Sequence, residues 1–125
     1  MRVLVEGSAQ GEVAILEAPL SFWGGYDPEK GVIVDVSHPQ HGTSLAGKIV
    51  VMDHGKGSSS SSAVLAESLR LGTGPAAIVL REPDQILVTG VLVARLLYDV
   101  ECPVLVGVAV GPGAWRVTPS GVTPV

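Results

Sequence analysis

The stretch IVVMDHGKGSSSSSAVLA, residues 49–66, places an apolar segment, a glycine-containing turn, five consecutive serines and a second apolar segment in a row. A strand followed by a glycine turn and the start of a helix is a common way to build an anion site. The first amides of a helix have no intrahelical partner, and glycine lets the backbone approach a ligand closely. The serines can cap the helix, bind a ligand or act chemically, so this run is the first candidate site.

The chain beyond this run repeats the alternation of strand and helix. We predict a strand over Lys48–Met52, a helix over Ser60–Leu71 that stops at Gly72, a strand over Ala76–Leu80, a helix from Pro83 to Leu97, and a strand over Pro103–Val106. This order implies two right-handed crossovers and therefore a parallel sheet at the core.

The two ends of the chain are predicted to add antiparallel strands. Val3–Val5 and Glu12–Leu16 are expected to form a hairpin around a turn at Gly7–Gly11, and Trp115–Val117 a further strand. Residues 18–43 are rich in glycine and proline, and only Val32–Val34 is predicted to be a strand there. No linker is visible, so we expect residues 1–125 to form a single α/β domain with a parallel sheet core, flanking helices and added antiparallel strands.

Composition excludes several classes of partner. The net charge of −4, with 8 Lys plus Arg and no basic block, argues against nucleic acid. The longest apolar stretch, residues 86–97, is interrupted and too short to cross a bilayer. Charged residues make up 16% of the chain, against roughly 25% in average domains. We therefore expect part of the apolar surface to meet a partner chain or domain.

Cysteine content gives an expectation about redox environment and metals. The single cysteine, Cys102, allows neither an internal disulfide nor a self-contained cysteine-ligated metal cluster. It indicates a reducing compartment, and the first residues show no signal-peptide pattern, so we expect a cytoplasmic protein. Cys102 itself, before Pro103, is interpreted as a small core or strand-start residue.

Common motifs do not fit the glycine–serine run. A P-loop needs a glycine, four residues and then Gly-Lys-Ser/Thr, whereas Lys56 here precedes Gly57. A serine hydrolase elbow needs a glycine two residues after the serine, and Ser58 lacks it. A flexible linker is disfavoured because apolar segments flank the run on both sides. One of the serines is expected to cap the helix that follows.

Other candidate residues have plainer interpretations. His38 and His41 have a possible metal spacing, but they flank Pro39 in a loop and are interpreted as solvated side chains. No metal site is therefore predicted on this chain. Trp23 and Trp115 are interpreted as packing residues, although Trp23 and Gly24 could wall a pocket.

Several segments together resemble a known family. They are Pro19–Gly25, Asp35–Gly42, Gly47–Lys48, Gly55–Ser62, Gly72–Ala77, and Glu82–Asp84 with Gly90. In these segments, which cover most of residues 1–106, the chain resembles the small subunit of aconitase X, the swivelling domain of aconitase-type hydro-lyases. The resemblance implies a swivelling β/β/α domain, and it is far more specific than the serine run alone.

The resemblance also implies a dehydratase split over two chains. The large aconitase X subunit would bind an iron–sulfur cluster or iron, which would hold the leaving hydroxyl as a Lewis acid. The small chain would swing over the cleft and supply Ser58 as the base that removes a proton beside the substrate carboxylate. The residues expected to bind the substrate are Lys56, Gly57, Ser59, Ser60, Trp23 and Gly24. Ser59 and Ser60 are alternatively caps.

Two substrates fit the resemblance. The polyserine run is similar to the branch that dehydrates cis-3-hydroxy-L-proline to pyrroline-2-carboxylate, and we favour this reaction. Mevalonate 5-phosphate is the alternative, although its phosphate would favour more basic residues than Lys56. Aconitase has an arginine after its two serines, and Ser60 stands there in this chain, so that substrate-binding role is not transferred. A non-catalytic anion-binding or regulatory module is the alternative from another class.

Overall fold

The computed structural model describes residues 1–125 as a mixed α/β fold. Its elements follow in the order β1 (Arg2–Val5), β2 (Ala9–Ile15), α1 (Phe22–Gly25), β3 (Tyr26–Asp27), β4 (Val32–Ile33), β5 (Ile49–Met52), α2 (Ser61–Leu71), β6 (Ala77–Leu80), α3 (Gln85–Tyr98), β7 (Val104–Val106), β8 (Ala114–Thr118) and β9 (Gly121–Pro124). The predicted order of strands and helices from β5 to β7 is confirmed.

The seven-stranded main sheet has the order β1-β7-β6-β5-β2-β8-β9. Strands β2, β5, β6 and β7 are parallel neighbours, and α2 and α3 are the crossovers between β5, β6 and β7. All four residues of β6 are buried, as expected for a central strand covered on both faces. The predicted fold class, a parallel core with flanking helices and added antiparallel strands, is confirmed.

The predicted N-terminal hairpin is wrong. β1 pairs antiparallel with β7, where Val3 lies opposite Leu105. β2 pairs parallel with β5, where Val13 lies opposite Ile49. If β1 and β2 had paired only with each other, the edge strands β5 and β7 of the parallel core would have kept unpaired backbone N–H and C=O groups along their free sides. Local turn residues therefore did not decide the pairing, and the free edges of the parallel core did.

The second face of the sheet is covered by the C-terminal strands. The first half of β2 pairs with β8, and β8 pairs with β9. These strands enclose a second apolar cluster that includes Val79, Leu105 and Val117, and Trp115 packs against it as expected. The predicted strand over Trp115–Val117 is confirmed within β8. Strand β9 was not predicted, because only Val122 and Thr123 favour a strand, and Gly121 and Pro124 on either side disfavour one.

The two long helices begin slightly later than predicted. α2 begins at Ser61, so Ser60 is its N-cap, and α3 begins at Gln85, after the N-cap Asp84. The helices pack closely at Gly90, where a Cβ atom would lie 2.8 Å from the Ser62 carbonyl oxygen.

The outer face of α3 leaves apolar side chains exposed, and Leu96 is 84% exposed. That a partner covers this apolar surface stays a prediction. None of the helices combines the length and apolar character needed to cross a membrane.

The irregular segment between β2 and β5 contains α1 and a small β3–β4 sheet, which includes the predicted strand residues Val32 and Ile33. The solvated interpretation of His38 is wrong, because the side chain is only 5% exposed. Its Nε2 lies 2.9 Å from the Ala18 oxygen, and its Nδ1 accepts from the Gln40 amide at 3.0 Å. Both ring nitrogens are engaged, so His38 ties this segment together.

Candidate functional site

The serine run lies at the carboxyl end of the parallel strand β5. Residues 53–60, here called the serine loop, connect β5 to α2. Gly57 has a φ of +93°, which favours glycine, and a Cβ at this position would overlap Ser21 Oγ. A glycine at position 57 is therefore required both by backbone conformation and by the close approach of a second segment.

The unpaired amides of the site differ from those expected. The amides of Ser61, Ser62 and Ala63 donate to the carbonyls three residues earlier, over 3.0, 3.2 and 3.1 Å. The amides of residues 57–59 donate to no group of the chain. The expectation of free amides in the first helical turn is therefore wrong, and the free amides lie immediately before it. They belong to Gly57, Ser58 and Ser59, so the predicted anion cradle is displaced toward the proposed catalytic serine.

Ser58 is exposed, and its side chain turns back toward the helix. Its Oγ accepts from the Ser60 amide at 3.1 Å. Ser60 occupies the N-cap position but makes no side-chain capping bond. The expected serine cap of α2 is therefore not found, and the Ser58 bond is a local serine turn two residues long just before the helix. The Ser58 hydroxyl remains open to solvent, as a group that meets a substrate must be.

The segment that contains Trp23 and Gly24 lies beside the serine run. The Trp23 amide donates to Ser61 Oγ at 3.1 Å, and Ser21 Oγ donates to the Trp23 oxygen at 2.8 Å. The Trp23 side chain is 58% exposed, so its interpretation as a packing residue is wrong. Gly24 has a φ of +82° and open space where a Cβ would stand.

A cleft of about 100 Å³ lies between the serine loop, the segment that leads into α1, and the start of α3. Gly55, Lys56 and Gly57 line it on the serine-loop side. Phe22 lies across it, and Asp84 stands at the α3 side. The cleft therefore joins polar backbone, one cation, one carboxylate and apolar surface.

An acidic side chain outside the serine loop lies near its cation. Asp35 has a pKa held below its usual value, first by the Ser37 hydroxyl at 2.6 Å and the Ser37 amide at 2.9 Å. Nearby Lys56 adds attraction that lowers the same pKa further. An ionised Asp35 thus lies near Lys56, the single cation of the serine loop.

The residues of this chain do not fit an iron–sulfur cluster. Such clusters need several cysteine thiolates, and Cys102 is buried in the core as expected, where desolvation raises its pKa to about 12. No three His, Cys, Asp or Glu side chains come together as metal ligands.

Sequence reasoning missed two residues that shape the site. Ser61, only 2% exposed, holds the Trp23 segment in place. Asp84 is the N-cap of α3, and its Oδ2 also accepts from the Gly55 amide at 3.1 Å. Gly55 and Asp84 are far apart in sequence, and no local pattern signals their contact.

A family model for the aconitase X swivel domain matches residues 1–112. The crystal structure of Thermococcus kodakaraensis aconitase X in its holo-form superimposes with a TM-score of 0.84 at 36% identity, covering 97% of this chain and 92% of that one. The α/β fold of this chain is thus shared with the aconitase X class of proteins. The chain belongs to the aconitase X swivel-domain family, and the resemblance drawn from its segments is confirmed.

Two named relatives indicate the range of the family. The chain is similar to the cis-3-hydroxy-L-proline dehydratase of Pseudomonas aeruginosa, with 45% identity over 103 residues. The matched region is 82% of this chain but only 18% of that protein. It is also similar to the phosphomevalonate dehydratase small subunit of Methanothermobacter thermautotrophicus, with 40% identity over 95 residues, 76% of this chain and 72% of that subunit.

Proposed function

We propose that residues 1–125 are the swivelling domain of an aconitase X-type dehydratase, a carbon–oxygen hydro-lyase. In this proposal it acts on cis-3-hydroxy-L-proline, and the product is pyrroline-2-carboxylate. The observation that supports it best is the exposed Ser58 hydroxyl beside the unengaged amides of residues 57–59. A base and an anion cradle are thus adjacent on the loop that the family match includes.

In the proposed reaction, Ser58 Oγ takes the proton from the carbon beside the substrate carboxylate. The C–H electrons form the new double bond as the C–O bond to the hydroxyl breaks. Serine is a weak base in water, so an ionised Oγ needs positive potential around it. The amides of residues 57–59 and Lys56 supply that potential, and exclusion of water on closure strengthens it. Ser59, Ser60, Trp23 and Gly24 contact the substrate in this proposal.

The group that receives the leaving hydroxyl lies outside this chain in the proposal. A large aconitase X subunit binds it, as an iron–sulfur cluster or iron that supplies Lewis-acid chemistry. Two findings support a partner. The relative from M. thermautotrophicus is named a small subunit, and the P. aeruginosa dehydratase is a much longer protein than the matched region.

Hydroxyproline is preferred over mevalonate 5-phosphate for two reasons. The identity to the hydroxyproline enzyme is higher, and the match is longer. The serine loop also contains only one cation, Lys56, which suits a carboxylate better than a carboxylate with a phosphate. Phosphomevalonate stays the alternative substrate.

The decisive experiment assembles the chain with its large subunit and assays both substrates. Ser58→Ala should leave assembly intact and lower turnover at least about a thousandfold, because the proton acceptor is lost. Ser120→Ala, in the distant β8–β9 turn, removes an exposed hydroxyl as a matched control and should leave turnover unchanged.

Retained turnover in Ser58→Ala would place the base elsewhere. A large subunit that is fully active without this chain would instead favour a regulatory module. Turnover of mevalonate 5-phosphate in preference to hydroxyproline would overturn the substrate assignment alone.

A further inference from the structure

The carboxylate of Asp84 joins two parts of the chain. Its Oδ1 accepts from the amides of Ile86 and Leu87, at 3.0 and 3.1 Å, and so caps α3. Its Oδ2 accepts from the Gly55 amide at 3.1 Å. A single half-buried side chain therefore caps one helix and holds the loop that leads into the other.

The backbone at Gly55 fits closely against Asp84. A Cβ on residue 55 would lie 2.8 Å from Asp84 Oδ2 and 3.1 Å from Leu87 Cδ1. Such distances are too short for a side chain without displacement of the loop or of α3. The contact is thus a close fit of backbone to carboxylate, and not a loose surface hydrogen bond.

The serine loop is tied to α3 on both sides of its free amides. Before them is the bond from Gly55 to Asp84. After them, Ser62 Oγ donates to the Ile86 oxygen at 2.7 Å. Residues 57–59, whose amides donate no hydrogen bond, lie between these two bonds. Their position therefore depends on the start of α3, together with the Leu20 carbonyl, which accepts from the Lys56 amide at 3.3 Å.

We propose that Asp84 is a positioning residue for the catalytic loop. It acts through Gly55 to hold the amides of residues 57–59 and Ser58 Oγ in the geometry that proton removal needs. This inference rests on the proposed function. The amides at the start of α3 offset part of its negative charge, which would otherwise disfavour the ionised Ser58 Oγ before proton removal.

Two substitutions separate the loop contact from the helix cap. In Asp84→Asn, the amide oxygen can still cap α3, but the side-chain NH₂ is a donor and cannot accept from the Gly55 amide. Asp84→Ser keeps a good capping oxygen that is too short to reach Gly55. In Asp84→Asn the side chain could rotate so that its oxygen faces Gly55 and its NH₂ group faces the helix. Serine has no such second group, so Asp84→Ser excludes this explanation. Asp99→Asn removes a carboxylate at the other end of α3, at φ +56°, where asparagine is tolerated, and is the control.

The test measures turnover and amide hydrogen exchange in the enzyme assembled with its large subunit. In both Asp84 variants we expect kcat to fall about ten- to hundredfold, with a smaller change in KM. The Gly55 amide should exchange about tenfold faster or more, while the Ile86 and Leu87 amides keep their protection. Asp99→Asn should match the wild type in both measurements.

The outcomes are distinct. Wild-type kcat in both variants despite faster exchange at Gly55 would overturn the role of Asp84 and leave the proposed function standing. Equal loss of protection at Gly55 and in the first turn of α3 would show a merely structural role and overturn it too. A wild-type assembly inactive on both substrates would overturn the proposed function, and this inference with it.

Discussion

The starts of α2 and α3 occupy equivalent places in the fold but are built differently. Each follows a parallel strand, β5 or β6, at the same edge of the sheet. Asp84 closes the start of α3 with two side-chain bonds to backbone amides. The start of α2 is preceded by exposed serines, its N-cap Ser60 makes no side-chain cap, and three amides before it are free.

The difference separates a structural helix start from a functional one. A capped start satisfies its own donors and offers nothing to a ligand. An open start leaves donors and hydroxyls for a ligand, but loses local stabilisation, and its conformation must then be held from outside. Part of that support comes from the start of α3, through the bonds of Gly55 and Ser62, and part from the Leu20 carbonyl, which accepts from the Lys56 amide at 3.3 Å.

The largest expected effect concerns the backbone just before α2, the uncapped helix start. Gly57→Ala introduces a Cβ at φ +93° that overlaps Ser21 Oγ, so the loop must move. We expect turnover of the assembled enzyme to fall about a hundredfold, because Ser58 is the next residue. Backbone strain of roughly 1–3 kcal/mol is added to the folded state.

Gly42→Ala is the matched control for this strain. Gly42 has a φ of +87° with open space where a Cβ would stand. It should show the strain in urea unfolding but keep full turnover. Equal turnover in the two variants would mean that the geometry at Gly57 does not matter for catalysis.

A smaller effect is expected on stability when the N-cap residues of the two helices, Asp84 and Ser60, are each replaced by alanine. Asp84→Ala removes the bonds to Ile86, Leu87 and Gly55, and we expect a loss of about 1–2 kcal/mol in the free energy of unfolding. Ser60→Ala removes a hydroxyl without a capping bond and should change it by less than about 0.5 kcal/mol. Urea denaturation of both variants measures the difference. A Ser60→Ala loss as large as that of Asp84→Ala would show that the start of α2 is capped in solution.

The smallest expected effect concerns the pKa of Asp35, which lies near Lys56 of the serine loop. The pKa of Asp35 is lowered mainly by the Ser37 hydroxyl, so Ser37→Ala should raise it toward its ordinary value of about 3.9. Lys56→Ala should raise it less. Because the folded-state pKa is depressed, the small stabilisation is present above the unfolded pKa and is lost as pH falls through the folded pKa. NMR titration of the Asp35 carboxyl measures both shifts, and an unchanged pKa in Ser37→Ala would contradict the assigned cause.

Periodic and local signals were sufficient for most of the framework. The apolar runs of β5, β6 and β7, the Gly72 stop and the helices between them follow from residue spacing alone, and so does the parallel core. The serine run was also recognisable as a candidate site, because glycine and hydroxyl residues at the start of a helix have few structural reasons to cluster. The N-terminal hairpin failed because strand pairing is decided by which sheet edges remain free.

The sequence by itself determined the order of strands and helices from β5 to β7, the place of the serine loop and the family. Tertiary structure alone decided that Asp84 reaches Gly55 and that Ser62 reaches Ile86. The physical reason is range: periodicity and propensity act between neighbours, whereas these hydrogen bonds join groups that only the packing of α2 against α3 brings within about 3 Å. Contacts with other distant segments bury His38, beside Ala18, and Ser61, beside Trp23, and their sequence neighbours gave no reason to place these polar residues inside.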